Sequence, residues 1–320
     1  MPDRIPSGTR DVLPEEMREL RALTDRLRTV FEAAGYGEVY TPALEYERTY
    51  EGDGETPQPA YRMFDEHGRV LILRTDMTVP IARLVATRYA TASPPLRFSY
   101  FAHAYRTVRP QRGQSREFLQ AGVELIGAPG PQGTAEALTV LCDALQRAGL
   151  ASFRVGLGDV SLYPALMEAV GVPAPSQERI LEELVSGDFV GVERELSQLR
   201  LPTSEQELLL RVPRIRGGAE VLEDLRGPLQ SAGTGMREVL SLLPARTAER
   251  VIFDFGLVRS LGYYTGAVFQ VYDPAYGVPI GNGGRYDELL GRFGRSLPAV
   301  GFALNVERLH IALTAEARHG

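Results

Sequence analysis

A chain of 320 residues with a hydrophobic fraction of 44% is long enough for one large domain carrying an insertion, or for two domains, and can build a substantial core. All 35 basic residues are arginine, which excludes a phosphate loop ending in Gly-Lys-Ser/Thr and any Schiff-base lysine. The net charge of −6 gives no general attraction to nucleic acid or anionic membrane, and the chain has neither an apolar run of about 18 residues nor a basic-then-apolar start, so a cytoplasmic protein is expected.

The opening segment predicts a helix from about Pro14 to Ala34, with Leu20, Leu23, Leu27, Val30 and Phe31 at helical spacing and Gly35 as its stop. A short strand is expected near Glu38 to Thr41, ended by Pro42, and residues 51–60, EGDGETPQPA, read as a mobile loop. Beyond it, YRMFDEHGRVLILRTD predicts a hairpin turning at Glu66-His67-Gly68 and delivering Arg74, Thr75 and Asp76 to a strand end. DMTVPIARLVATRY is then a helix, for which Asp76 and Thr78 are candidate caps.

Arg97 to Gly127 reads as two strands joined by a loop rich in arginine (Arg106, Arg109, Arg112, Arg116). In the second strand the period of two puts Leu119, Ala121, Val123 and Leu125 on an apolar core face and Gln120, Gly122 and Glu124 on the other. An amide and a carboxylate with a glycine between them have the shape of a small polar-walled pocket for an ammonium or imidazole group, and guanidinium forks suit carboxylate or phosphate. The same pattern also fits an amphipathic hairpin with a solvated outer face. His103, in the first strand, is expected to be a packed polar residue. The four histidines show no ligand spacing, so no zinc site is expected.

A helix from about Gly133 to Arg147 follows, with Cys142 as a buried structural thiol, and then a strand near Phe153 to Leu157. From about Val172 to Leu243 the chain is short helices broken by Pro and Gly, with almost no strand signal. Strands resume at VIFDFGL, AVFQVY and PAVGFAL, so residues 1–171 and 244–320 are expected to form one core domain and 172–243 an inserted helical subdomain. RSLGYYTGAVFQVY places Arg259, Tyr263 and Tyr264 just before a strand. GNGGRYDELLGRFG leads from a strand end into a helix beginning near Arg285, with GNGG either a tight turn or a backbone passing close against a bound small molecule.

Together these segments resemble the histidyl-tRNA synthetase catalytic core, and within that superfamily they are most similar to the ATP phosphoribosyltransferase regulatory subunits. GTRDVLP and GYGEVYTPALE, with Pro42, match the first class II synthetase motif, AYRTVRPQRGQSREFLQAGVELIG the second and AVGFALNVERL the third; LVRSLGYYTGAVF and GNGGRYDEL match the histidine-specific segments. The resemblance implies an α+β fold, an antiparallel sheet of six or so strands flanked by helices, a homodimer, and a pocket for free L-histidine. It gives Asp76, Thr78, Gln120 and Glu124 to the ligand's amino group, Arg259 to its carboxylate, Tyr263 and Tyr264 to the imidazole, and includes Arg106 among the binding residues.

The departures separate the relatives. Where synthetases carry Arg-x-Glu to contact adenine, this chain has Arg106-Thr107-Val108, and valine accepts no hydrogen bond. The glycine before the third motif's hydrophobic-Glu-Arg run is Asn305, whose side chain is expected to intrude on the adenine or ribose. The chain ends 12 residues after Arg308, whereas a synthetase continues with an anticodon-binding domain of on the order of 100 residues. The expectation is therefore a non-catalytic, histidine-binding regulatory subunit, without cofactor or metal, that joins a short-form ATP phosphoribosyltransferase catalytic subunit and exerts feedback control. The alternatives are a truncated synthetase core that activates histidine with ATP, and a domain that binds tRNA without acylating it.

Overall fold

The computed structural model describes residues 5–50, 60–107, 115–257 and 262–319. The amphipathic opening folds as α1 (Pro14–Ala33), with Pro14 in its first turn, Glu15 and Glu16 at its positive end, and Leu20, Leu23, Leu27 and Phe31 buried. Gly35, at φ 83°, ends it. The strand expected from Glu38 to Thr41 shortens to β1 (Gly37–Glu38), because the carbonyls of Thr41 and Pro42 turn away to accept from the buried Arg74 guanidinium, at 2.7 and 3.3 Å. The loop expected over 51–60 falls, except for Ala60, outside the described residues.

A small antiparallel sheet in the order β2-β4-β3 is built from β2 (Leu44–Tyr46), β3 (Arg62–Phe64) and β4 (Val70–Leu73), with β3 and β4 forming the expected hairpin around Gly68. It leads into α2 (Thr78–Arg88). The central hairpin is β5 (Leu96–Tyr105) and β6 (Glu117–Ile126). After it come α3 (Gly130–Ala148), β7 (Arg154–Asp159) and α4 (Leu162–Ala169).

The segment 172–243 supplies α5 (Ala174–Ser186), α6 (Phe189–Ser197), α7 (Thr203–Arg211) and α8 (Gln230–Leu242). In keeping with the expectation of almost no strand, it also contains the two-residue β8 (Arg216–Gly217). Arg216 pairs with Asp254 at 2.9 Å, which ties this short strand to the sheet edge. Ile180, Val192, Leu209 and Met236 from the segment join the same apolar core as the sheet. The chain continues through α9 (Ala245–Ala248), β9 (Val251–Asp254), β10 (Ala267–Tyr272), β11 (Gly281–Arg285), β12 (Ala299–Asn305) and α10 (Val306–His319).

The main sheet runs β1-β5-β6-β12-β11-β10-β7-β9-β8. Its middle six strands, β5 to β7 in that order, are all antiparallel, as expected; β1 and β9 add parallel at the two ends and β8 closes the far edge. GNGG is neither a turn nor the entry to an α-helix: it is the body of β11, followed by a 3-10 turn at Leu289–Phe293. The cause is steric. A Cβ at Gly283 would stand 2.3 Å from the Gly301 carbonyl oxygen and 2.4 Å from the Phe269 ring, so the strand reaches its ladder only without side chains.

The sheet separates two cores, as the alternation on β6 requires. Ala121, Val123 and Leu125 face α1 and α3, while Phe98, Tyr100, Ala102 and Ile126 face α2, Tyr263 and Tyr286. The alternative of a solvated outer face fails, since Gln120 is 7% and Glu124 1% exposed. Phe31 joins α1 to the sheet, its ring 5.8 Å from both Phe101 and Phe302. Phe31→Ala is expected to lower the unfolding free energy by about 3–5 kcal/mol in urea denaturation, and a loss below about 1 kcal/mol would contradict this packing.

Candidate functional site

The second face of β6 is the floor of the site. Gln120, Gly122 and Glu124 lie in register with Ala102, Tyr100 and Phe98 on β5 and with Asn305, Ala303 and Gly301 on β12. Two glycines make room there: a Cβ at Gly301 would fall 1.8 Å from Glu124 Oε2, and one at Gly122 would fall 2.4 Å from the Tyr100 hydroxyl. Glu124 Oε1 accepts from Thr78 Oγ1 at 2.8 Å, and Oε2 accepts from the Tyr286 hydroxyl. Burial, with the nearby charge of Asp76, pushes the Glu124 carboxyl up to about 8 despite those two donors.

Asp76 comes in from the turn after β4. Its Oδ1 accepts from Val79 N at 3.1 Å, so the capping reading holds, and it is also buried at the pocket. Burial raises its pKa, opposed by the Val79 amide and the Arg106 charge. The turn is anchored by Arg74, 3% exposed, whose Nε donates to the His103 carbonyl at 2.7 Å. His103 also lines the cleft; it is exposed and not packed as expected.

Tyrosines form the walls. The Tyr263 ring lies 5.1 Å from that of Tyr264 and 5.9 Å, edge-on, from that of Tyr286, and the Tyr263 hydroxyl is hydrogen-bonded with the Thr78 side chain. Tyr264 packs over Gly284, where a Cβ would meet its ring at 2.7 Å. Burial raises the phenols of Tyr100, Tyr263 and Tyr286, which remain neutral donors. The structure thus brings Asp76, Thr78, Glu124, Tyr263 and Tyr264 together. Arg259 lies outside the described residues, as do Val108, Arg109 and Arg112.

Gln120 and Arg106 stand at the mouth, where both line a cleft of about 740 Å³. Gln120 Oε1 and Arg106 Nε are buried without a hydrogen-bond partner, and the Arg106 guanidinium sits 5.2 Å over the Phe118 ring. Asn305 also lines the cleft, with its side-chain oxygen accepting from Arg308 N at 2.8 Å to cap α10. Tyr286, Tyr100 and Gly301 were not identified as site residues from the sequence; the signals were a tyrosine following GNGGR and a glycine inside the apolar strand pattern PAVGFAL. Cys142 is a buried thiol pushed up to about 12 by burial, as expected of a structural residue. Among the described residues no group of His, Cys, Asp or Glu is arranged to hold a metal, and no helix is long and apolar enough to cross a membrane.

Glu124 holds its proton more tightly in the folded chain than a free carboxyl does. Its charged form therefore opposes folding, and stability falls as pH rises from about 4.5 through about 8. Glu124→Gln cannot ionise, so between about pH 5 and pH 9 the wild-type melting temperature is expected to drop further than that of the variant; equal slopes would contradict this burial.

A profile of the histidyl-tRNA synthetase family matches residues 8–309. ATP phosphoribosyltransferase regulatory subunits from Symbiobacterium thermophilum and Rubrobacter xylanophilus are 43% and 41% identical, each over 97% of this chain, which covers 79% and 76% of their lengths. Among solved structures, an ATP phosphoribosyltransferase regulatory subunit/histidyl-tRNA synthetase from Bacillus halodurans superposes with a TM-score of 0.89 at 35% identity, covering 98% of this chain and 84% of that one. A histidine–tRNA ligase subunit from Alicyclobacillus acidocaldarius gives 0.80 at 32%, covering 100% and 99%. The chain belongs to the histidyl-tRNA synthetase-like family that includes the ATP phosphoribosyltransferase regulatory subunits.

Proposed function

We propose that this chain is a non-catalytic regulatory subunit that binds free L-histidine and, with a short-form ATP phosphoribosyltransferase catalytic subunit, controls the first step of histidine biosynthesis by feedback. The carrying observation is Glu124, a carboxyl group 1% exposed whose side-chain donors are two neutral hydroxyls, those of Thr78 and Tyr286. A ligand that brings N–H groups satisfies its remaining lone pairs. Because Glu124 sits at the tyrosine-lined end, it suits the imidazole N–H, a refinement of its expected assignment to the amino group. Asp76 and Gln120 then take the ammonium, Thr78 bridges to Glu124, and Tyr263 and Tyr264 flank the ring. Arg106 Nε meets the carboxylate, together with Arg259, which the resemblance assigns to it.

Support for regulation comes from the similarity to ATP phosphoribosyltransferase regulatory subunits, and support against catalysis from Val108 and Asn305, which replace groups that hold the nucleotide in synthetases. In this reading the subunit is a cytoplasmic homodimer within a hetero-oligomer and needs no cofactor. A histidine-activating synthetase core is the second reading, favoured by the open cleft that keeps Arg106 and Arg308.

Isothermal titration tests the pocket. L-histidine is expected to bind the wild type, and Glu124→Gln to weaken it by about 1.5–3 kcal/mol, roughly ten- to a hundredfold. An unchanged affinity would remove Glu124 from the site. Histidine-dependent pyrophosphate exchange with ATP, expected to be absent, would replace the regulatory reading with the synthetase core.

A further inference from the structure

Asp273 follows β10 and is 1% exposed, yet among the described residues no group donates to its Oδ2. Its Oδ1 accepts from Ala275 N at 2.9 Å, and its carbonyl accepts from Tyr276 N at 3.1 Å and Gly277 N at 3.0 Å, so this one residue shapes the turn that leads to β11. Within hydrogen-bond reach of its carboxyl is a second carboxyl, that of Glu316 on α10. Glu316 is itself fixed in place. Its Oε2 accepts from Ala151 N at 2.9 Å and its Oε1 from Ser152 N at 2.6 Å, both in the connection between α3 and β7.

The two groups are driven apart in acidity. Although burial opposes it, the two amides hold Glu316 below the usual carboxylate range, while burial and the Glu316 charge push Asp273 above it. Among the described residues no arginine pairs with either carboxyl: Arg250 donates to the Ala151 carbonyl at 2.6 Å, Arg154 on β7 donates to the Phe153 carbonyl at 3.1 Å, and Arg147 on α3 and Arg318 on α10 are exposed. Two carboxyl oxygens in contact bond only if one of them carries a proton.

We propose that Asp273 Oδ2 carries that proton and donates it to Glu316, and that the shared proton is a pH-sensitive latch joining α10, the α3–β7 connection and the turn at 273–277. The turn carries Tyr276, and Pro279 just beyond it accepts from Arg308 at 2.8 Å through its carbonyl; both residues line the cleft. The latch therefore sets how firmly one wall of the cleft is held. The raised group contributes stability that is lost as pH rises from 3.8 through its folded value, and the lowered group contributes stability that is lost as pH falls from 4.5 through its own. The latch is thus closed in mild acid and loosens toward neutral and higher pH.

Two local readouts on the full chain test this, and neither depends on Glu124 or on the histidine reading. In carboxyl-carbon NMR of the wild type, Asp273 is expected to titrate above 3.8 and Glu316 below 4.5, and an ordinary value for either would overturn the proposal. In hydrogen exchange corrected for its intrinsic pH dependence, protection of the Ala151, Ser152 and Tyr276 amides is expected to fall more than about tenfold between about pH 5 and pH 8. In Asp273→Asn, which keeps the Oδ1 acceptor and donates permanently to Glu316, the fall is expected to be less than about threefold. Equal falls would overturn the latch. Calcium or magnesium that restored wild-type protection at about pH 8 would assign the pair to a cation and likewise overturn it.

Discussion

A carboxylate at the floor of a sheet is costly unless everything around it is fitted to it, and Glu124 is such a group. Gly301 has no side chain because a single carbon there would overlap Glu124 Oε2. Thr78 and Tyr286 are turned toward it from α2 and from the end of β11, at opposite sides of the pocket. Burial leaves it short of ionisation near neutral pH. A ligand that supplied N–H groups would relieve that deficit.

The scaffold serves this one point. Six antiparallel strands carry Glu124 in their interior, with the apolar core of α1 and α3 behind the sheet and the pocket in front. Arg74 performs the remaining alignment. Its buried guanidinium bonds carbonyls of the segment after β1 and of β5, which fixes the turn that holds Asp76 and Thr78 opposite β6. Asp76 is both a cap for α2 and a pocket wall, so the helix and the site share one residue.

Much of this was legible in the sequence. The alternation on β6 predicted which residues enter the core, and the resemblance to the synthetase core implied the antiparallel sheet and named Asp76, Thr78, Glu124, Tyr263 and Tyr264, which the fold gathers in one place. What was not legible was set by contacts between distant strands. GNGG reads locally as a turn, yet it is a strand, because glycine is forced by Gly301, Phe269 and Tyr264 lying against it from elsewhere in the chain. β8 is two residues long and exists through pairing with β9, which no period could announce. Tyr286 was quoted only as part of a motif; its contact with Glu124 spans 162 positions. Asn305 lines the cleft, and the cap that its side-chain oxygen gives the helix that follows was not read from the sequence.

The most direct test is the activity of a short-form ATP phosphoribosyltransferase catalytic subunit reconstituted with this chain and titrated with L-histidine, using wild type and Asp76→Ala side by side. The account predicts that histidine inhibits the wild-type complex, and that the complex with Asp76→Ala still assembles but resists inhibition, because the ligand biases the assembly through this pocket. Equal inhibition of both complexes would place histidine's action elsewhere and contradict it.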